Sequence, residues 1–416
     1  MGTVAIEEVT GRLAENLEHL KRFTATPGDG CTRLPFTKEA RDAVNYLREV
    51  MTEAGLEVHE DEAGNVIGIL KGENPDLPCV MMGSHYDSVV NGGDFDGIAG
   101  VVCAIEAARQ LKDEGFTPKR NFAIVGFCDE EGMRFGTGYF GSGAMLGHRD
   151  VEYCKHYKDT DGISIYDAMK GYGLDPEKIE DAKWPEGSIG KFLELHIEQG
   201  PVLEAEHKEI GIVDVIVGIK RARIRINGRA DHAGTMPMHM RKDALEQATK
   251  VISKIGDRAR LFRNCVATVG YLQVEPNVMN IIPQSVTFVV DIRGVDEETI
   301  MTQYYSLLAD LDKMSLESGL TYDVENLLYA EPVRMDEEIK GHFETSCIER
   351  QYDYMHLPSG AGHDAQIFGA QLPAAMLFVP SAGGRSHCPE EKSEAKDLAK
   401  AVLVAYDALQ TMCELM

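Results

Sequence analysis

Hydrophobic and polar positions change their period several times along the chain. In the first half, stretches with helix-like spacing of apolar residues alternate with short apolar runs. The predicted elements are helices at 4–22, 38–54 and 97–112 and strands at 66–70, 79–82 and 121–128. The last of these runs (NFAIVGFC) is almost entirely apolar, as in a strand that is covered on both faces. Alternating strands and helices predict an α/β layer with a mostly parallel sheet.

The middle of the chain has a different pattern. The segment at 223–227 (RIRIN) alternates strictly, as a half-exposed strand does. The elements predicted after it are a helix at 243–255, strands at 266–273 and 286–293, a helix at 297–314 and a strand at 321–325. This order predicts a small α+β domain, in which two helices cover one face of a four-stranded sheet. Alternation resumes after about residue 334, with a strand at 374–379 and a final helix at 395–409.

The pattern therefore predicts two domains. Residues 1–213 and 333–416 would form one discontinuous catalytic domain, and residues 214–332 an α+β domain inserted into it. The length of 416 residues fits two or three domains, and 44% apolar residues allow a sizeable core.

Charge and cysteine usage narrow the class of protein. Asp and Glu number 68 against 42 Lys and Arg, giving a net charge of −26, which argues against nucleic acid or an anionic membrane as partner. An anionic substrate would need a local cationic site. Nine scattered cysteines predict reduced thiols. With no signal-peptide pattern and no apolar run of membrane-spanning length, we expect a cytoplasmic location.

Polar clusters directly follow three of the apolar runs. GSHYDS, with His85 and Asp87, follows CVMM; DEEG, with Glu130 and Glu131, follows NFAIVGFC; and HIEQG, with His196, completes the alternating KFLEL. In open α/β sheets the ligand crevice lies at the carboxyl ends of the strands, so we expect these side chains to converge.

Two further clusters complete a candidate metal site. Asp96 lies in the Gly-rich loop GGDFDG, and His387 lies in a loop after AAMLFV. With His85, Glu131 and His196 they supply three imidazoles and two carboxylates. If one carboxylate bridges, each of two divalent ions has three protein ligands and keeps positions for water, as catalytic sites do. Zn²⁺ is the first expectation, with Mn²⁺, Co²⁺ or Ni²⁺ as alternatives.

Single residues of these kinds are usually structural. A lone His is more often a surface or core residue than a ligand, and adjacent acids usually form a solvated face. Five such clusters at strand ends or Gly-rich loops together favour metal chemistry.

These residues, in this order, resemble the amidase, hydantoinase and carbamoylase branch of the dizinc aminoacylase and exopeptidase superfamily. The resemblance runs from GCTRLPF at 30–36 through GSHYDS, GGDFDG, DEEG, HIEQG, DHAGTMPM and GAGHDAQ to the loop of His387. It implies that His85, Asp96 and His196 hold one ion. Asp96 would bridge to the other ion, which Glu131 and His387 complete.

The resemblance also implies roles near the metals. Glu130 would be the general acid/base, and Asp87 the carboxylate that orients His85. The related peptidases carry a carboxylate where this chain has His196, so the histidine argues against a plain peptidase. Gln199 would then face the polar end of the substrate. Cys388 is a departure, because family members often have Asn after the last histidine.

Further substrate groups are implied on the inserted domain, which would act as a lid. His232 would stabilise an oxyanion in the active site of the other subunit, which requires a homodimer built through that domain. Without the resemblance, His232 is a turn histidine and Arg293 a solvated charge. With it, Asn280 and Arg293 bind the substrate carboxylate, for which a guanidinium is suited. Gly362 and His363 would be additional substrate-side groups.

The predicted function is hydrolysis of a C–N bond other than a peptide bond. The substrate would be a small N-carbamoyl-L-amino acid or similar ureido acid, and the products would include ammonia and CO₂. Glu130 would take a proton from the attacking water and return it to the leaving nitrogen, while His232 stabilises the oxyanion. Allantoate amidohydrolase is the main alternative. An N-acyl amino acid hydrolase and a non-catalytic binding protein are further ones.

Overall fold

The computed structural model describes residues 3–414, with side chains from residue 6. The α-helices are α1 (Thr3–Leu20), α2 (Lys38–Glu53), α3 (Ile98–Asp113), α4 (Phe140–Met145), α5 (Val151–His156), α6 (Ile165–Tyr172), α7 (Val202–Ala205), α8 (Ala244–Ala259), α9 (Glu297–Ser318), α10 (Glu337–Arg350), α11 (Asp364–Gly369) and α12 (Ala395–Glu414). The strands are β1 (Glu57–Glu60), β2 (Val66–Leu70), β3 (Cys79–His85), β4 (Phe122–Phe127), β5 (Ile189–Ile197), β6 (Ile210–Ile216), β7 (Gly218–Asn227), β8 (Cys265–Glu275), β9 (Ser285–Gly294), β10 (Thr321–Ala330), β11 (Val333–Arg334), β12 (Tyr354–Ser359) and β13 (Ala374–Val379). No helix among these residues has the length and apolar character needed to cross a membrane.

The large sheet is mixed. Its order is β1-β2-β4-β3-β5-β13-β6-β11, and β12 also pairs with β6. The central strands β4, β3, β5 and β13 pair in parallel. The α/β class with a parallel centre is therefore confirmed. The pairings of β1 with β2, β2 with β4 and β13 with β6 are antiparallel. The loop from β1 to β2 is too short for the crossover that parallel neighbours need, so these two strands form an antiparallel hairpin.

Close packing explains the composition of the central layer. Every residue of β3, β4 and β13 is buried, which for alternating side chains means that both sheet faces are covered. Helix α3 contacts β3, β4 and β5, and most of its residues are buried. A Cβ at Gly100 would lie 2.1 Å from the Leu195 carbonyl oxygen, so glycine lets the helix approach the sheet.

The chain forms two compact units. The first comprises the chain up to Asp214, then Met335–Leu357 and the chain from Gly362 onward. The second comprises Val215–Arg334 and the short segment Pro358–Ala361.

The second unit has its own four-stranded antiparallel sheet, in the order β10-β7-β9-β8. Helices α8 and α9 pack on one face, where Ile224, Phe288 and Leu307 are part of a common core. On β7 the alternate positions Arg223 and Arg225 are exposed, which gives the strict alternation seen in the sequence. The predicted four-stranded sheet with two helices is confirmed.

Candidate metal centre

The four parallel strands carry polar clusters at one edge of the large sheet. They are neighbours in the order β4-β3-β5-β13. His85 is the last residue of β3, and His196 is the last but one of β5. Glu130 follows β4, and His387 lies in the loop after β13. The strand ends therefore bring together side chains that are far apart in the sequence, as the crevice rule predicts.

Asp96 lies at the middle of this cluster. Its Oδ1 is 3.5 Å from His85 Nε2 and 3.1 Å from His196 Nε2. Its Oδ2 is 3.1 Å from His387 Nε2, which in turn is 3.4 Å from Glu131 Oε1. The two oxygens of one carboxylate thus face two different groups of ligand atoms, as a bridging carboxylate must.

The loop that carries Asp96 requires glycine at its end. Gly97 has a φ of +65° and begins the turn into α3. A Cβ at this position would lie 2.2 Å from His85 Cε1. The Gly97 amide also donates to His196 Nε2 at 3.2 Å. Any larger residue would displace the His85 imidazole.

Backbone carbonyls orient two of the imidazoles. His85 Nδ1 is 3.1 Å from the Asp87 carbonyl oxygen, and His196 Nδ1 is 2.9 Å from the Ile197 carbonyl oxygen. A carbonyl oxygen can only accept, so each Nδ1 carries the hydrogen. In the neutral ring this leaves the Nε2 lone pair directed toward Asp96, which is the tautomer that a metal ion needs.

The side chains fit divalent metal ions. His85, Asp96 and His196 place ligand atoms within 4.8 Å of one another, and so do Asp96, Glu131 and His387. Imidazole and carboxylate donors suit Zn²⁺, Mn²⁺, Co²⁺ and Ni²⁺. His85 also forms such a group with Glu130 and Glu131, so distance alone leaves open which of the two acids would be a ligand.

The buried carboxylates of this cluster favour the presence of positive charge among them. Burial raises the pKa of Glu130 well above its usual value, and Glu131, Asp364 and Asp87 add to the rise. Hydrogen bonds to Asp96 and Glu131 raise the pKa of His387 to about 10. Burial opposes ionisation of Asp96, yet three imidazoles hold its pKa well below the usual range. Carboxylates buried so closely together need cations to balance them.

Asp87 fixes the turn that presents the two acids. Its Oδ1 accepts the Glu130 amide at 3.0 Å, and its Oδ2 accepts the Glu131 amide at 3.2 Å. The Oδ1 atom is 3.6 Å from His85 Nδ1, farther than the Asp87 carbonyl oxygen. Asp87 therefore contacts His85 mainly through its backbone, while its carboxylate holds the DEEG turn.

Three residues predicted on the substrate side also lie in the first unit. Gln199 Nε2 donates to Asp96 Oδ2 at 2.8 Å, and Gln199 Oε1 is buried without a hydrogen-bond partner among the described residues. The buried His363 ring lies 4.5 Å from the His196 ring. A Cβ at Gly362 would lie 1.9 Å from Tyr139 Oη, so this backbone is tightly packed.

The other three predicted substrate residues belong to the second unit. His232 is exposed, and its Nδ1 accepts the amides of Gly234 and Thr235, which leaves the hydrogen on Nε2 of the neutral ring. The Asn280 carbonyl oxygen accepts the Ala233 amide at 3.0 Å, so His232 and Asn280 lie on adjoining segments. Arg293 Nε donates to Asp291 at 2.9 Å and its Nη1 to the Gly360 carbonyl oxygen at 2.8 Å.

Glu194 is a buried acid beneath the histidines that the sequence argument overlooked. Its carboxylate accepts the Ser84 hydroxyl at 2.7 Å and the Ala365 amide at 2.7 Å, and so joins β3, β5 and the start of α11. The available signal was an acid among the apolar residues of the alternating segment KFLEL, where an exposed position would ordinarily be assumed.

Comparison with known proteins agrees with this geometry. Residues 81–411 match the family described as Peptidase family M20/M25/M40. The chain belongs to this family. Every residue proposed above for the metal centre lies within the matched range. Enzymes of the M20 family are typically dependent on two metal ions.

Individual relatives within the family are similar over nearly their whole length. An N-carbamoyl-L-amino-acid amidohydrolase of Paenarthrobacter aurescens is 37% identical over 96% of this chain and 97% of its own. An allantoate amidohydrolase of Bacillus subtilis is 37% identical with the same coverage. A crystal structure of a hydantoinase/carbamoylase family amidase from Burkholderia multivorans has a TM-score of 0.90 and 32% identity, covering 98% of both chains.

Proposed function

We propose that this protein is a metal-dependent amidohydrolase that cleaves a C–N bond in an N-carbamoyl-L-amino acid or a similar ureido acid and releases ammonia and CO₂. One observation carries the proposal: the two oxygens of Asp96 face separate groups of imidazole and carboxylate donors. The activity of relatives at 37% identity supports the reaction class.

Allantoate is the second candidate substrate. The carbamoyl-amino-acid and allantoate relatives have the same identity to this chain over the same number of residues. Overall similarity therefore favours neither, and the choice depends on side chains around the substrate.

The residues that would hold the metals are His85, Asp96 and His196 for one ion and Asp96, Glu131 and His387 for the other. Zn²⁺ is our first expectation, with Mn²⁺, Co²⁺ or Ni²⁺ as alternatives. When bound, a pair of such ions lowers the pKa of a water molecule and polarises the scissile carbonyl group.

Glu130 is proposed as the group that moves the proton. Its carboxylate is 3.9 Å from His85 Nε2 and only 9% exposed, so it faces the centre in a site shielded from bulk water. Burial and neighbouring acids raise its pKa, which suits a group that accepts a proton from water and later donates it to the leaving nitrogen. Asp87 would support this role by holding the Glu130 amide.

Six further residues are proposed to act on the substrate side. Arg293 and Asn280 would bind the substrate carboxylate, which a chain of net charge −26 would otherwise repel. His232, with Nε2–H available, would stabilise the oxyanion in the partner subunit of a homodimer. Gln199 would face the polar end of the substrate, and Gly362 and His363 would be additional substrate-side groups. Nine free cysteines support a reducing, cytoplasmic compartment.

The experiment that tests the proposal is a screen for ammonia release. Purified protein is supplied with Zn²⁺, Mn²⁺, Co²⁺ or Ni²⁺ and offered N-carbamoyl-L- and D-amino acids, N-carbamoyl-β-alanine, allantoate and ureidoglycolate. We expect release from an N-carbamoyl-L-amino acid, and release from allantoate alone would select the second candidate. No release from any of them by protein that contains two ions would refute the proposal.

A further inference from the structure

The loop after β13 contains a buried acid that neither the metal set nor the proton transfer uses. Glu391 lies four residues after His387, and its side chain is almost completely buried at 4% exposure. It stands beside Glu390, which is 61% exposed and paired with Arg385 at 3.1 Å. Two adjacent acids in the same loop thus have opposite environments.

The Glu391 carboxylate joins the two loops that carry Asp96 and His387. Its Oε1 accepts the amides of Phe95 at 3.1 Å and Asp96 at 3.0 Å. Its Oε2 accepts the Ser386 hydroxyl at 2.7 Å and the His387 amide at 3.3 Å. Each oxygen therefore serves one loop, and both loops supply a proposed metal ligand.

The Glu391 carboxylate packs closely against the backbone of the Gly-rich loop. A Cβ at Gly93 would lie 2.0 Å from Glu391 Oε1. The second glycine of the GGDFDG loop therefore allows the acid to approach the backbone of Phe95 and Asp96. Ser386 adds a further link, because its hydroxyl oxygen is also 3.1 Å from Asp96 Oδ2.

We propose that Glu391 is a positioning residue that holds the Asp96 and His387 loops at the spacing needed for the ion bound by Asp96, Glu131 and His387. This inference rests on the metal-binding part of the proposed function. Two of the three proposed ligands of that ion, Asp96 and His387, donate a backbone hydrogen bond to the Glu391 carboxylate. Of the ligands of the other ion only Asp96 does, so removing the carboxylate should affect the two ions unequally.

Glu391→Gln is the direct test, since it keeps the shape and removes one acceptor. The amide oxygen can still accept from Phe95 and Asp96. The new side-chain NH₂ group then faces Ser386 and His387. It can donate a hydrogen bond to the Ser386 hydroxyl oxygen, but it cannot accept one from the His387 amide, so that contact is lost. We expect one ion to bind as in the wild type and the second to bind ~10–100-fold more weakly, as for other outer partners of metal ligands.

The measurement is the dissociation constant of each ion, obtained by competition with a chromophoric chelator and checked by elemental analysis. Zn²⁺ alone is the probe, so the result does not depend on knowing the substrate. Glu390→Gln is the matched control and should bind both ions normally. Excess Zn²⁺ should restore occupancy of the second position in Glu391→Gln, which a misfolded chain could not show.

Several results would overturn the inference. If Glu391→Gln binds both ions as tightly as the wild type, or loses both equally, Glu391 does not position the second ion. If Glu391→Gln fails to fold, Ser386→Ala removes one of the four contacts, and an unchanged second affinity would have the same meaning. A wild-type chain that binds no ions would instead refute the proposed function.

Discussion

The two adjacent acids after β4 give the sharpest test of the proposed chemistry. Glu130 is proposed to transfer a proton, whereas Glu131 is proposed to bind a metal ion. Glu130→Gln and Glu131→Gln each replace a carboxylate with an amide of the same shape. The backbone amides of both acids donate hydrogen bonds to the Asp87 carboxylate, at 3.0 Å for Glu130 and 3.2 Å for Glu131. Neither substitution removes those hydrogen bonds, so the turn itself should stay in place.

The structure gives the expected size of each effect. Glu130 Oε2 lies 3.9 Å from His85 Nε2, which is too long for a hydrogen bond. Losing the proton acceptor should lower kcat by ~10²–10⁴-fold, or about 3–5 kcal/mol, with both ions retained. Glu131 Oε1 is closer to its proposed co-ligand, at 3.4 Å from His387 Nε2. Glu131→Gln should therefore lose one ion and, with it, activity.

The assay combines ammonia release with the metal content of each variant after dialysis. The expected pattern is an inactive Glu130→Gln enzyme with two ions and an inactive Glu131→Gln enzyme with one. The reverse pattern, with metal lost only in Glu130→Gln, would mean that Glu130 is the ligand, an arrangement that the group formed by His85, Glu130 and Glu131 permits. Full activity in Glu130→Gln would refute the proton-transfer role.

Three further predictions follow from the same centre. Prolonged chelation should abolish ammonia release and added divalent metal should restore it; full activity in protein shown by elemental analysis to be metal-free would contradict this. The pKa of His387 is raised to about 10, so a metal ion must displace its proton at neutral pH. Metal affinity should therefore fall as pH falls from 9 to 6, and calorimetry in two buffers should detect the released protons. Mixed dimers of His232→Ala and Glu130→Gln should recover up to about half of wild-type activity, provided that each parent has lost ~10²-fold or more; verified heterodimers no more active than their parents would exclude a shared site.

Much of the fold was predictable because its strongest patterns are local. Apolar runs such as the one at 121–128 marked the central strands, and strict alternation at 223–227 marked β7. Every predicted helix and strand is present. The antiparallel pairings of β1 with β2, β2 with β4 and β13 with β6 were not predicted, because strand direction depends on which strands pair. The short helices α4–α7 and the strand β1 have too few residues to show a period.

The site was predictable to the extent that its residues stand at strand ends. His85 and His196 follow apolar segments, and the crevice rule then brings them together without any knowledge of distance. Glu194 and Glu391 were not found because a single acid in a strand or loop has the same local pattern whether it is buried or solvated. Their contacts, Ser84 and Ala365 for one and the Asp96 and His387 loops for the other, depend on tertiary structure.

The net charge of the chain would repel an anionic substrate, whereas metal ions bound at the centre would attract it. A net charge of −26 keeps anions at a distance, yet the centre collects buried carboxylates that only cations can balance. Bound divalent ions would be the largest local charges at this end of the central strands. A small anion that reaches this edge would then meet positive charge, whereas elsewhere on the chain it is repelled. This contrast favours small carboxylate-bearing substrates over nucleic acids, because the attraction acts only over the size of the centre.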